Sequence, residues 1–439
     1  MNRLNRTILW STFLLAFVAS PLLAPRTIAS LSGSVIRVPY DFPTIQEAVD
    51  AASNGSVVLV AAGIYTESVM INKPLSLLGL DKAVTVIDGT VSLMANNIFV
   101  SGFTIRESDP QSSYSAGIYV GQYSNCTIEN NAITQFLYGI LFVNSTSSFV
   151  LNNIITLCGI TEPLGPGAIE FNYCSDIIVR GNVLSDNGMW GIGLGWSYNN
   201  TVTDNVIANS LNEGLALYGS EQNLIHHNSF FNNGRSIGLY ESGNNTWDDG
   251  FEGNYWDSYM GLDDGNGSRV AGDGVGDTDL PSLSVDYRPL ISPCGPVPVT
   301  VDNATYLVGL SSNSTVSYPR FSQIDKKIMF NVSGPAGTSG RCTMAVPNSL
   351  LRGEPWTVLL NSTDVTSQAT ITTNQTHTTL SLNYNHSGAG VHVVGTWVVP
   401  EFPSAFTLLL LLLVTVFLIV AKSKPDWMQR RRSFQCRGP

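Results

Sequence analysis

The residues of this 439-residue chain whose types and spacing could do chemistry fall into four groups. Glu170 and Asp186 are the best candidates for a pair of carboxylates flanking a glycosidic bond, with Asp204 or Glu213 as substitutes for the second acid. A lyase would also need a basic residue, for which Arg180 is the nearest option. Asn172, Trp190, Trp196, Tyr218 and Tyr240 combine flat rings with a polar group, a composition suited to stacking against sugars. Asp263, Asp264, Asn266, Asp273, Asp277 and Asp279 crowd a Gly-rich stretch with the oxygen-rich alternation of a calcium loop. The bidentate Glu of an EF-hand is missing, and a polar closing turn is the competing reading. His226-His227 is the only His pair in a chain of five His and eight Met, where copper would want clustered ligands. Adjacent strand residues face opposite ways, so only one of the two could enter a shared site, and copper is disfavoured.

These residues must be positioned by repeats. Six segments carry a small residue followed by an apolar, a variable and an apolar one: 117–120, 139–142, 168–171, 191–194, 214–217 and 236–239. Their first apolar residues are 22, 29, 23, 23 and 22 apart. Asn131, Asn153, Asn182, Asn205 and Asn228 follow in phase at intervals of 22, 29, 23 and 23, each with an apolar residue three before and two after. The shared 29-residue interval places an insertion, Gly159 to Pro166, in one coil and over Glu170. Four-residue alternating strands cannot form a core alone, but stacked coils bury a continuous column. The spacing predicts a parallel β-helix. Repeated Asn can adopt the left-handed turn conformation and hydrogen-bond along a ladder, and Gly before each inward Ile suits a tight corner. The variable positions point outward as the column Tyr119, Leu141, Glu170, Gly193, Ala216 and Gly238, beside Asn172, Tyr218 and Tyr240. Small residues next to aromatics predict a shallow groove. An amphipathic helix over 43–52 caps the first coil, and strands follow at 57–60, 69–71, 75–78, 84–87 and 99–100.

Residues 297–398 alternate in several runs separated by Gly, Pro, Ser and Asn, which predicts a small immunoglobulin-like β domain acting as a spacer. The ends read differently. Residues 1–29 have the basic start, apolar run and small-residue cleavage site of a signal peptide. Residues 405–421 carry no charge and predict a transmembrane or sorting helix, with a basic cytoplasmic tail at 422–439. The exported portion holds twelve Asn-x-Ser/Thr sequons, from Asn54 to Asn385, as expected of a surface glycoprotein. A net charge of −11 excludes a nucleic-acid partner. Cysteines lack zinc spacing; Cys158 and Cys174 could bridge, but buried free thiols are the preferred reading.

The segments Pro39–Val49 and Ala62–Val69 resemble the opening of the pectin-lyase-like superfamily of right-handed parallel β-helices. Gly253-Asn254-Tyr255-Trp256-Asp257, Asp273-Gly274-Val275-Gly276-Asp277 and Asp286-Tyr287-Arg288-Pro289-Leu290 strongly resemble the NosD-like family, also called carbohydrate-binding and sugar-hydrolase repeat proteins. The resemblance covers residues 35–292 and implies the right-handed fold; its NosD branch implies copper handling. Val399-Pro400-Glu401-Phe402-Pro403-Ser404 resembles an archaeal PEF-type sorting signal, implying a membrane sorting enzyme. The favoured expectation is an extracellular, membrane-anchored β-helix that binds polysaccharide or surface glycan and holds a structural calcium. The alternatives are a polysaccharide lyase or glycoside hydrolase centred on Glu170, a copper-handling accessory protein, and a purely structural envelope protein.

Overall fold

The structure, a computed structural model, describes residues 33–107, 115–160, 165–301, 304–386 and 388–399. The signal peptide, PEF-like motif, apolar C-terminal segment and basic tail lie outside these residues. No helix among the described residues is long and apolar enough to cross a membrane.

Residues 35–256 wind into a right-handed parallel β-solenoid of three sheets. Among the described residues, sheet A runs over nine strands from Val35–Val38 to Leu224–His226, and sheet B over nine from Gly63–Tyr65 to Tyr255–Trp256. Sheet C has eight, from Val69–Ile71 to Arg235–Tyr240. Each coil visits A, B and C in turn, and equivalent residues of successive coils pair in register: Ile118, Ile140, Ile169, Ile192, Leu215 and Ile237 lie side by side in sheet C. The first five are fully buried, as the alternation requires. A short helix, Ile45–Ala51, covers the open first coil. Thr44 caps it, and the Glu67 side chain accepts hydrogen bonds from the backbone N–H groups of Ile45 and Gln46.

The corner from A to B carries the Asn ladder. Asn131, Asn153, Asn182, Asn205 and Asn228 are completely buried, and Asn254 of the GNYW segment extends the series. Each of the first five donates its Nδ2 to Oδ1 of the next, at 2.9–3.2 Å. The same Oδ1 accepts the backbone N–H. The left-handed residue is the one before each ladder Asn: Asn130, Asn152, Gly181, Asp204 and His227 have φ between 54° and 69°. The turn strain and the buried amide therefore sit on different residues. The Gly residues before the inward Ile turn no corner either. A Cβ on Gly117 would lie 2.6 Å from Ile133 Cγ2 and 2.8 Å from the Gly139 carbonyl oxygen, so lack of space selects Gly there.

Cys126, Cys158 and Cys174 are free and buried. Each occupies a corner position that Ser or Asn fills in neighbouring coils, and its Sγ donates to the carbonyl two residues back, as Ser197 and Ser220 do. Burial pushes the Cys158 thiol up to about 12 and that of Cys174 to about 11, which keeps both unreactive.

Gly253–Pro289 closes the last coil. Asp286 accepts from Asn254 N at 2.7 Å and Trp256 Nε1 at 2.8 Å, and a Cβ on Gly253 would strike its Oδ1 at 2.1 Å. Beyond it, five-stranded and six-stranded antiparallel sheets share one core. That core continues into Val183, Val206, Ala208, Phe231 and Tyr255 on the outer face of sheet B. Tyr255 Oη donates to the Val316 carbonyl at 2.6 Å, and Phe231 packs on Tyr318. Instead of standing off as a spacer, the second unit docks sideways, because sheet B's outward side chains here are apolar.

Candidate glycan-binding face

Sheet C positions most of the residues expected to act. Glu170 lies on strand Ile169–Asn172, Trp190 opens strand Trp190–Gly195, Tyr218 closes strand Glu213–Tyr218, and Tyr240 closes strand Arg235–Tyr240. Trp190 is thus a strand residue. Its Nε1 donates to Glu170 Oε2 at 2.6 Å. Burial pushes the Glu170 carboxyl up to about 7, opposed by that hydrogen bond and one from Asn172. At neutral pH this acid is close to half protonated.

A second acid shares the face. Glu213 is wholly buried, and its Oε1 accepts from Tyr240 Oη at 2.7 Å and pairs with Arg235 Nη2 at 3.0 Å. Its Oε2 is buried without a hydrogen-bond partner. The Tyr218 and Tyr240 rings stack at 4.4 Å, and Trp190 tilts against Tyr218 at 6.0 Å. Tyr218 is pushed up to about 12, first by burial and then by Tyr240, Glu213 and Glu170.

The expected groove is filled. A Cβ on Gly193 would lie 2.2 Å from Glu170 Oε2 and 2.5 Å from Trp190 Nε1; one on Gly238 would meet Tyr240 and Glu213 within 3 Å. The small residues give these tips a floor to lie on, so the face is flat. Glu170 and Glu213 then hang over strands two apart, about 10 Å. Since Glu213 is wholly buried, the two cannot flank a sugar bond together.

Asp186 is not brought to Glu170. Its carboxylate accepts from Ser185, from Asn209 Nδ2 at 3.1 Å, and from Thr300 of the docked unit. Asp204 is held by His227. Of the insertion over Glu170, residues 161–164 lie outside the described residues.

Trp196 lies just past sheet C, stacked on Tyr173 at 5.3 Å and 10°; both residues are 56% exposed, and Tyr198 nearby is 55% exposed. Tyr173 was missed as a candidate, although it stands 23 residues before Trp196 in the same coil position, a signal the repeat carries. Asn172, beside it, is half-buried. Arg235 was missed for a different reason: nothing in its spacing announces a partner two coils' side chains would share.

The aspartate-rich loop does not gather ligands. Asp263 gives both oxygens to the N–H groups of Gly272 and Gly274, and Asp277 accepts from Gly265. Asp264 and Asp273 accept from Asn266 N and Val275 N within their own turns. Asn266 starts a short 3-10 turn, and Asp279 adopts a left-handed turn at φ 53°. Among the described residues, no group of three or more His, Cys, Asp or Glu could hold a metal ion. His226 faces Asp249, and His227 lies between Asp204 and Glu252, so each ring is set against carboxylates and the two do not converge as a copper-ligand set. The aspartates are thus spread along turns and not gathered at one point among the described residues.

Residues 49–261 match the family model described as periplasmic copper-binding protein (NosD). Over that stretch, just under half of the chain, the β-helix is NosD-like. A cell surface glycoprotein of Methanothermus fervidus is 35% identical over 98 residues, which is 21% of this chain and 16% of that protein. The chain therefore spans under a fifth of that relative's length. Among solved structures, the catalytic domain of a GH87 alpha-1,3-glucanase in complex with tetrasaccharides is similar at 18% identity and TM-score 0.35, covering 45% of this chain and 39% of that one. A bacteriophage CBA120 tailspike domain is similar at 12% identity and TM-score 0.31, covering 82% and 73%. At these scores the likenesses carry no argument about activity.

Proposed function

We propose that this NosD-like chain is an exported surface protein that binds polysaccharide or surface glycan across the flat outer face of sheet C. The observation that supports it is the exposed Tyr173–Trp196 stack beside Asn172 and the Tyr218–Tyr240 column. Large stacked rings left open to water at one place on a soluble surface mark a contact site, and ring faces with hydrogen-bonding rims suit sugars. Glu170, half-protonated and held by Trp190, can both accept from and donate to a hydroxyl. Export is supported by the N-terminal signal-like sequence and by the surface and periplasmic names of the matched proteins. Membrane retention through residues 405–421 and processing at the PEF-like motif belong to the same proposal. This reading needs neither calcium nor copper. The test is a glycan array with the wild type and Trp196→Ala: the substitution should leave folding intact and weaken binding at least tenfold. A blank array with the wild type would leave a structural envelope role.

A further inference from the structure

The corner from sheet C back to sheet A carries side chains that the fold leaves free. Its left-handed tips stack coil on coil. Gln122, Asn144, Tyr173 and Trp196 form one column, with φ between 47° and 63°, and Gln222 and Asn244 belong to a second, at 60° and 53°. Backbone hydrogen bonds hold both columns in register, from Gln122 N to the Val143 carbonyl, Asn144 N to the Asn172 carbonyl and Gln222 N to the Asn244 carbonyl. Asn144 and Asn244 are exposed, and among the described residues neither side chain makes a hydrogen bond. Asn tolerates this backbone conformation, so both amides stand at the outer edge of the coil without strain.

Each of the two opens an Asn-x-Thr sequon, and the hydroxyl residue two on, Thr146 or Thr246, is exposed as well. Asn266 and Ser268, on the short 3-10 turn of the closing segment, repeat the arrangement. A sequon is read through its acceptor amide and the hydroxyl two residues on, so on a folded chain both must be reachable from outside. Elsewhere the fold withdraws them. Ser56, Thr127 and Thr315 are 0%, 8% and 3% exposed, which closes the sequons at Asn54, Asn125 and Asn313. Ser56 Oγ accepts from Ser53 N at 3.1 Å, and Thr315 Oγ1 donates to the Gly261 carbonyl at 2.9 Å. The acceptor nitrogens are held too: Asn125 Nδ2 donates to Asn97 Oδ1, and Asn313 Nδ2 to the Ser339 carbonyl.

We propose that Asn144, Asn244 and Asn266 are N-glycosylation sites of the folded chain, and that Asn54, Asn125 and Asn313 are not. The donor class is an oligosaccharide joined to a lipid phosphate. Nδ2 attacks its anomeric carbon and a C–N bond forms. The C–O bond to the phosphate breaks, the lipid phosphate leaves with the electron pair, and Nδ2 gives one proton to a base of the transferring enzyme. None of this rests on sugar binding by the aromatic face. The test is mass spectrometry of chymotryptic peptides from the full-length protein, isolated from the cells that make it. Peptides holding Asn144, Asn244 and Asn266 should carry an added oligosaccharide mass at an occupancy at least fivefold that of peptides holding Asn54, Asn125 and Asn313. A smaller ratio, whether from modification of all six or of none, overturns the proposal. Asn144→Gln and Asn244→Gln each introduce the residue that a neighbouring coil already carries at that position, Gln122 or Gln222. Both variants should keep the parent's melting temperature and lose only the sugar at the substituted turn. Thr146→Val leaves Asn144 in place and should also lose its sugar; unchanged occupancy at Asn144 in that variant overturns the sequon as the feature being read.

Discussion

Two corners of the same β-helix do different work with nearly the same residues. From A to B, the buried Asn residues form an unbroken ladder from Asn131 to Asn254, every amide satisfied from both sides. From B to C, the ladder has Asn187 and Asn233 but is interrupted at Ser210, and there the surface opens into a concavity. The intact ladder leaves no amide unmatched; the interrupted one leaves the Ser210 hydroxyl inside the fold without a partner. The difference separates a corner whose side chains all hold the coils together from one with a local gap in that bonding.

The largest effect should come from breaking the intact corner. Asn182→Ala removes the acceptor of Asn153 N and Nδ2 and the donor to the Val150 carbonyl. With about 1–3 kcal/mol for each buried group stranded, denaturant unfolding should show a loss of at least ~3 kcal/mol. Next in size is Glu170, on sheet C between the two corners. Its folded carboxyl is raised from 4.5 to about 7, so its contribution is fully present below 4.5 and is lost as pH rises through about 7. Glu170→Gln does not titrate, so between pH 4 and 8 the wild type should lose up to about 3 kcal/mol relative to it. Parallel melting curves for both proteins across that range measure this; a constant gap would mean that Glu170 is not buried as described. Mending the interrupted corner is a smaller change: Ser210→Asn should raise stability by about 1 kcal/mol. The smallest effect belongs to the aspartate-rich closing loop. Removing calcium with a chelator should leave the melting temperature unchanged, because Asp263 and Asp277 already serve backbone N–H groups.

The coil architecture was legible because period and phase are properties of the chain alone. Asn131 through Asn228 and the inward Ile series carry the same intervals, and the strands lie where both place them. The direction of each outward side chain in sheet C was legible for the same reason. Where those side chains end was not. Alternation says that Glu170 and Gly193 face out, but not that Glu170 leans over Gly193 to meet Trp190 and fill the groove. Glu213 appeared only as a substitute acid because its partners Tyr240 and Arg235 come from the next coil. The acidic loop is ambiguous in sequence for a related reason: Asp and Gly alternate both in calcium loops and in turns whose carboxylates cap their own backbone. Ser210 carries no signal by itself. It becomes visible once Asn187 and Asn233 are seen 23 residues to either side in the same corner.

The most direct test of the central claim is glycan binding by wild type and Trp196→Ala, measured together with their melting temperatures. The account predicts saturable binding by the wild type, at least tenfold weaker in the variant, with no change in melting temperature. Undiminished binding by Trp196→Ala would contradict it.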